Sequence, residues 1–151
     1  MLSTHEARGQ ILDTVAAAAD LISTALAYLG EAYEQLDEQT AERLEQELFR
    51  PVQLAYGRAQ RVHHEFARRH GLGERTFEPQ QPHLRAHHAR GLIDSAVEAA
   101  AAADGALAGL QDSMLPIEVG DPPLRAGLEE VRVLLSEIRE RAGALERVLG
   151  R

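Results

Sequence analysis

The sequence predicts an all-α protein, specifically an antiparallel up-down-up-down four-helix bundle. Three observations indicate this fold class. Apolar residues recur at every third or fourth position over long stretches, which is the period of one helix face. Glycine and proline, which interrupt helices, concentrate between positions 71 and 82 and between positions 116 and 123. The helical stretches around these breaks have similar lengths, as expected of a bundle whose helices alternate in direction.

Helix 1 is expected over about residues 3–36. Ser3 or Thr4 can cap its first turn, and Glu6 stands where a capping box needs a glutamate. Its apolar positions alternate steps of three and four without a break, which indicates a heptad seam. They are Leu12, Val15, Ala19, Ile22, Leu26, Leu29, Tyr33 and Leu36.

Helix 2 is expected over about residues 40–70, with a break at Pro51. Proline has no amide hydrogen to donate to the carbonyl of Glu47, so the chain should either kink there or start a fresh helix. Gly71 is expected to end this helix in the left-handed conformation. The residues that follow it, with Gly73 and Pro79, should form a loop.

Helix 3 is expected over about residues 82–113 and helix 4 over about residues 121–149. Pro82 suits the first turn of helix 3, because a first-turn amide has no partner within the helix. Asp121 can cap helix 4, with Pro122 and Pro123 in its first turn. The four helices would form a single domain over residues 1–151, which is long enough to bury a core.

Composition excludes several classes of function. The chain has no cysteine, so disulfides, thiolate catalysis and cysteine-ligated metals are ruled out. The formal net charge of −8 argues against a nucleic-acid partner, because such binding relies on a positive surface. The amino-terminal stretch is polar and no uninterrupted run of about eighteen apolar residues exists, so a membrane partner is not expected. A soluble protein localised in the cytoplasm is the resulting expectation.

Histidines supply the candidate site. If the helices alternate in direction, helix 1 begins, helix 2 ends, helix 3 begins and helix 4 ends at one end of the bundle, and all seven histidines gather there. His83 and His87 are one helical turn apart, a spacing that lets two imidazoles share an ion such as zinc or nickel. His63 would complete the metal site. The alternates are His5, His64 and His70.

Two short patterns resemble known families. The order of His63 followed by His83-x-x-x-His87 is similar to the metal-binding bundles of the DinB family, and this resemblance implies a divalent metal. Arg58 and His63 form Arg-x-x-x-x-His, which resembles the HEPN helical ribonucleases and implies phosphodiester cleavage with histidine as acid or base. A third interpretation needs no function, since histidines near helix ends cap carbonyls or face solvent.

Association is the function that the pattern favours. Helices 1 and 3 are apolar over more than one stripe, which a monomeric bundle does not require. We therefore expect a non-enzymatic homodimer with no catalytic residues. The alternatives are a metal-binding protein or metal-dependent enzyme that uses the histidine cluster, and a small apolar ligand held near Pro51 or the alanine-rich seam.

Overall fold

The computed structural model describes residues 1–81 and 88–149, and these residues form helices and connections without any β-strand. The predicted all-α class is confirmed. Five consecutive residues between α2 and α3, Glu45–Phe49, form a π-helical stretch. The α-helices are α1 (Thr4–Tyr33), α2 (Glu38–Leu44), α3 (Arg50–Arg69), α4 (Ala89–Asp112), α5 (Leu115–Glu118), α6 (Pro122–Leu135) and α7 (Ile138–Leu149).

The first helix begins with a capping box. The hydroxyl of Ser3 accepts from the amide of Glu6 at 3.0 Å, and the carboxylate of Glu6 accepts from the amide of Ser3 at 3.3 Å. Without these two bonds, the amides of Ser3 and Glu6 would have no partner within the helix. α1 ends at Tyr33 rather than near residue 36. Its buried face packs against α3 and α4.

The interruption at Pro51 takes the form of a π-helical turn. α2, the π-helical stretch and α3 follow one another without a gap, and Asp37 caps α2 through a 2.8 Å bond from the amide of Thr40. The wider turn lets the helix continue past a residue that cannot donate. Arg141 of α7 donates to the carbonyl of Glu47 at 3.3 Å, the acceptor that an amide at position 51 would have used.

α3 ends in a Schellman motif. Gly71 has a φ of +64°, as the sequence predicts, and the amide of Leu72 donates to the carbonyl of Ala67 at 2.8 Å. Glycine takes this left-handed conformation without a steric penalty. The motif turns the chain so that the half-buried side chain of Leu72 lies against the core.

α4 begins later than the sequence suggests. His88 is the N-cap, with an extended backbone (φ −106°, ψ 152°), and its ring accepts from the amide of Gly91 at 3.0 Å. A helix continuous from about residue 82 to residue 113 is therefore not formed. The first residues of that expected helix, 82–87, lie outside the described residues.

The fourth expected helix is divided. α6 and α7 are separated by a short turn in which the amide of Ser136 donates to the carbonyl of Val133 at 3.2 Å. Asp121 is the N-cap of α6, as predicted. Leu135 and Ile138, on either side of the turn, are both buried, so the core-facing seam continues across it.

The prediction of alternating helix directions is wrong. Arg69 and Arg58 of α3 bind Asp121 and Glu130, so α3 runs opposite to the α6–α7 rod. Asp104 and Arg90 of α4 bind Arg132 of α6 and Glu146 of α7, so α4 also runs opposite to α6 and α7. Consequently α3 and α4 are parallel to each other.

The path of the connection after α3 explains this difference. Leu72 and Gly73 lie beside Gly9 and Asp13 near the start of α1. Farther along, Arg75 binds Asp20 at 2.7 Å, and the amide of Gln80 donates to Ser23 at 2.9 Å. From Gly9 to Ser23 is about 21 Å of helix at 1.5 Å per residue. We call residues 72–81 the crossover segment, because they follow α1 lengthwise instead of turning back.

The crossover separates histidines that alternating directions would have gathered. His63 lies in the last part of α3 and His70 is its C-cap, close to the starts of α1 and α6. His88 begins α4, and its neighbour Arg90 pairs with Glu146 close to the end of α7, at the other end of the molecule. The expected cluster of all seven histidines is therefore wrong for His88.

The buried apolar residues form one core, to which α1 contributes a long row of small and branched side chains. Of the described helices, α1 alone is long and apolar enough to cross a membrane, with a mean hydropathy of 1.4 over an 18-residue window. Half of that window is buried inside the molecule, and core helices of soluble proteins meet the same measure. The absence of a membrane partner stays a prediction.

Candidate ligand-binding cleft

A cleft of about 410 Å³ lies between the first half of α1, the last third of α3 and the start of the crossover segment. Its volume falls within the range of small-molecule sites. We call it the His63 cleft. Ten residues line it: Gly9, Leu12, Asp13, Ala16, Ala17, Asp20, His63, Leu72, Gly73 and Arg75.

α1 provides the open side of this cleft. Gly9, Ala16 and Ala17 have no long side chain to fill the space, and nothing lies within 4 Å of the position that a Cβ at Gly9 would take. Asp13 and Asp20 are seven residues apart and therefore project from the same face of the helix. A helix face with small residues between two carboxylates leaves room for a ligand and supplies charge at its border.

The crossover segment closes the other side. The guanidinium of Arg75 donates to both carboxylate oxygens of Asp20, at 3.0 and 2.7 Å. The same guanidinium lies 4.8 Å from the ring centroid of Phe77, within the range of a cation–π contact. These contacts hold the segment against α1, and they leave Arg75 with its charge already neutralised.

His63 is the buried polar group of the cleft. Its side chain is almost fully buried, with 3% of the residue exposed, and no residue that the structure describes forms a hydrogen bond with Nδ1. The ring packs against Phe77 in a T-shaped arrangement, with centroids 5.2 Å apart and an interplanar angle of 87°. Buried imidazole nitrogens normally have a partner, so this one requires an explanation.

Burial lowers the pKa of His63 below its ordinary value. The positive charge of Arg75 lowers it further, whereas the carboxylate of Asp13 acts in the opposite direction. Because the ordinary pKa is already below 7, the ring is neutral at that pH. A neutral imidazole carries one N–H donor and one acceptor nitrogen.

Asp13 is the charged group of the cleft without a partner among the described residues. It is exposed, lines the same cleft and makes no hydrogen bond or ion pair with any residue that the structure describes. Its charge influences His63, so the two side chains share one electrostatic environment. The cleft thus combines a neutral nitrogen base, a free carboxylate and a neutralised Arg75–Asp20 pair.

The alternate metal ligands His5, His64 and His70 do not line this cleft. His64 pairs with Glu74 at 3.4 Å, and His70 lies 2.8 Å from Asp121. His5 is exposed in the first turn of α1. His83 and His87 lie outside the described residues. Within residues 1–81 and 88–149, no three histidine and carboxylate side chains are grouped in a way that could hold a metal ion.

Arg58 and His63 do not form a joint site either. Five residues apart on α3, they point in different directions, because a helix turns about 100° per residue. Arg58 binds Glu130 on α6, whereas His63 faces the cleft beside α1. The arrangement that the Arg-x-x-x-x-His pattern implied is therefore absent.

Sequence reasoning identified His63 but missed Asp13, Asp20 and Arg75. Asp13 and Asp20 lie outside the buried face of α1. A signal was present in the sequence, since only small residues stand between and beside them on that face. Arg75 had no signal, because its position depends on the course of the crossover segment.

Comparison of the chain with protein-family models, with curated proteins and with solved structures gives no match.

Proposed function

We propose that this chain is a non-enzymatic binding protein, a four-helix bundle with one long crossover connection, whose His63 cleft holds a small polar molecule. The observation that carries the proposal is His63, a buried imidazole that lines the cleft and whose Nδ1 atom has no hydrogen-bond partner among the described residues. An unpaired buried polar atom costs about 1–3 kcal/mol of stability. A ligand that pairs with the ring would remove this cost on binding.

Binding is favoured over catalysis by the chemistry of the walls. Covalent catalysis by serine, threonine or cysteine needs a hydroxyl or thiol next to a base, and the described lining residues include neither group. Acid–base catalysis is best served by a group whose pKa lies near the working pH. The pKa of His63 is lowered, away from neutral pH, and burial is the main cause.

A fragment screen would test the proposal. We expect polar fragments of up to ~20 non-hydrogen atoms, a size suited to a cavity in this range, to shift the ring-nitrogen NMR signals of His63. The same fragments should shift the methyl signals of Leu12. The measurement is a titration of isotope-labelled protein with each fragment.

The matched variant is His63→Phe, which keeps an aromatic ring on Phe77 and the bulk of the wall. We expect it to fold and to lose the affinity for these fragments by at least about tenfold, the value of one good hydrogen bond. The proposal is wrong if no fragment shifts the His63 signals, or if the variant binds the same fragments equally well.

Association of two copies, the function that the sequence favours, is a second proposal. The apolar surface of α1 is largely buried within the chain, so it does not support a dimer. Leu54 and Val133 give better support, with 63% and 60% of their surfaces exposed. Because α3 and α6 pair Arg58 with Glu130, these two apolar side chains lie at a similar level across the α3–α6 seam.

Sedimentation at micromolar concentration tests this second proposal. We expect a dimer for the unaltered chain and a monomer for Leu54→Glu, because a charge in a desolvated contact is unfavourable. Ile117→Glu is the control, since Ile117 is equally exposed but belongs to α5. A monomeric unaltered chain, or a dimer that survives Leu54→Glu, would exclude the α3–α6 seam as the contact.

The remaining expectations are unchanged. Zinc or nickel bound by His63, His83 and His87 stays a prediction, since two of those residues are not described. Cytoplasmic localisation and the lack of a nucleic-acid partner also stay predictions. Metal analysis of the untagged protein is the direct measurement for the zinc or nickel site.

A further inference from the structure

The ionised groups of the His63 cleft do not balance. Asp20 and Arg75 neutralise each other through two hydrogen bonds, at 3.0 and 2.7 Å. Asp13 has no such partner among the described residues. The described lining of the cleft therefore carries one uncompensated negative charge, located on α1 opposite the crossover segment.

The cleft also offers hydrogen-bond acceptors that have no donor. Asp13 presents only acceptor oxygens, and a neutral imidazole presents one acceptor nitrogen. Arg75 donates from one Nη nitrogen to both oxygens of Asp20, so the charge of each side chain is compensated. A ligand with N–H groups and a positive charge can therefore pair with the Asp13 carboxylate and with the acceptor nitrogen of His63.

We infer that the ligand of the His63 cleft is a small organic cation, a protonated amine whose N–H groups donate to the carboxylate of Asp13 and to the ring of His63. This inference rests on the proposed binding function and names the chemical class of the ligand. The apolar part of the amine contacts Leu12, Ala16 and Leu72, which line the same cleft. Charge-assisted hydrogen bonds of this kind are about twice as strong as neutral ones.

Two other classes fit less well. An anion would need a free cationic side chain, and Arg75 is held by Asp20. A divalent metal ion would need at least three protein ligands, whereas the described walls offer His63 and Asp13 with Asp20 already paired. An organic cation needs only the two acceptors that are free.

The experiment compares probes of one shape and different charge. n-Butylammonium, butyrate, 1-butanol and Zn²⁺ are titrated separately into the full-length protein, with the ring-nitrogen NMR signals of His63 as the readout. We expect n-butylammonium to bind at least about tenfold more tightly than butyrate or 1-butanol, as a charge-assisted bond implies.

Two charge-neutralising variants on the same helix complete the design. Asp13→Asn keeps the shape of the side chain, and we expect it to weaken n-butylammonium binding by about tenfold or more. Glu31→Gln is the control, because Glu31 is an exposed carboxylate of α1 outside the cleft. It should leave the affinity unchanged.

The outcomes separate the ligand class from the binding function. If butyrate or 1-butanol binds at His63 as tightly as n-butylammonium, the cation is wrong while the cleft remains a binding site. Zn²⁺ binding that depends on Asp13, without n-butylammonium binding, would replace the amine by a metal. If n-butylammonium leaves the His63 signals unchanged, or binds Asp13→Asn as well as the unaltered chain, the inference is overturned.

Discussion

Replacing Asp121 with alanine should lower the free energy of unfolding by about 3 kcal/mol at neutral pH. Arg69 donates to both oxygens of this carboxylate at 2.8 Å, and the amide of Leu124 donates to it at 2.9 Å. His70 lies 2.8 Å away. The variant loses a helix cap worth about 1 kcal/mol and leaves a partly buried guanidinium without its partner. Urea unfolding followed by circular dichroism measures the loss.

The effect of Asp121 should depend on pH. Burial alone would raise the pKa of Asp121, but the bonds from Arg69, the Leu124 amide and His70 outweigh it and lower the pKa to about 2. A carboxyl group with a lowered folded-state pKa stabilises the fold above its unfolded pKa of about 4, and this contribution is lost as the pH falls towards 2. The stability difference between the two proteins should therefore shrink between about pH 4 and about pH 2.

Asp37→Ala is the matched control for Asp121. Asp37 also caps a helix, accepting from the amide of Thr40 at 2.8 Å, but it is exposed and binds no cationic side chain within residues 1–81 and 88–149. We expect a clearly smaller loss of stability for this variant. Equal losses would show that capping alone explains the role of Asp121, and that the contacts with Arg69 and His70 add nothing.

Signals within a few residues predicted the ends of helices well. Ser3 with Glu6, Gly71 and Asp121 act as the sequence indicates, because a cap is satisfied by amides and carbonyls within one helical turn. The start of α4 is the exception. His88 caps it, and no rule based on proline placement identifies a histidine whose ring accepts from Gly91.

Helix direction could not be predicted in the same way. The segment 71–81 is short enough to reverse the chain in a turn. When extended, it is also long enough to follow about 21 Å of helix. What decides between the two is the set of distant contacts that the segment makes, Arg75 with Asp20 and Gln80 with Ser23. Sequence spacing carries no information about such pairs, so the preference for alternating neighbours led to the wrong topology.

The candidate site was also predictable only in part. The abundance of histidine drew attention to His63, which is indeed the buried imidazole of a cleft. Its neighbours there are Asp13 and Arg75 rather than other histidines, because the crossover segment, not a helix start, packs against this part of α1 and α3. Composition identified the residue type, whereas the route of the chain selected its partners.

Glu146 is a largely buried acid at the opposite end of the molecule from Asp121. Only 14% of the Glu146 side chain is exposed, and its Oε1 atom has no hydrogen-bond partner. Arg90 is 3.8 Å from that oxygen, close enough for an ion pair but too far for a hydrogen bond. Burial, followed by a hydrogen bond and charge repulsion from Asp94, raises the pKa of Glu146 to about 7, although Arg90 opposes the change.

Glu146→Gln should therefore stabilise the protein at pH 8 by about 2 kcal/mol. The folded-state pKa of Glu146 lies above its unfolded value of about 4.5, so the protonated glutamate favours folding at low pH. That contribution is lost as the pH rises through 7. Glutamine keeps the shape and can donate to Asp94 without a charge. Urea unfolding at about pH 5 and about pH 8 should show a clearly larger gain at the higher pH. Glu140→Gln, an exposed position of the same helix, should change neither value. A gain of equal size at both pH values would contradict the assignment, because it would mean that the glutamate is disfavoured for its shape and not for its charge.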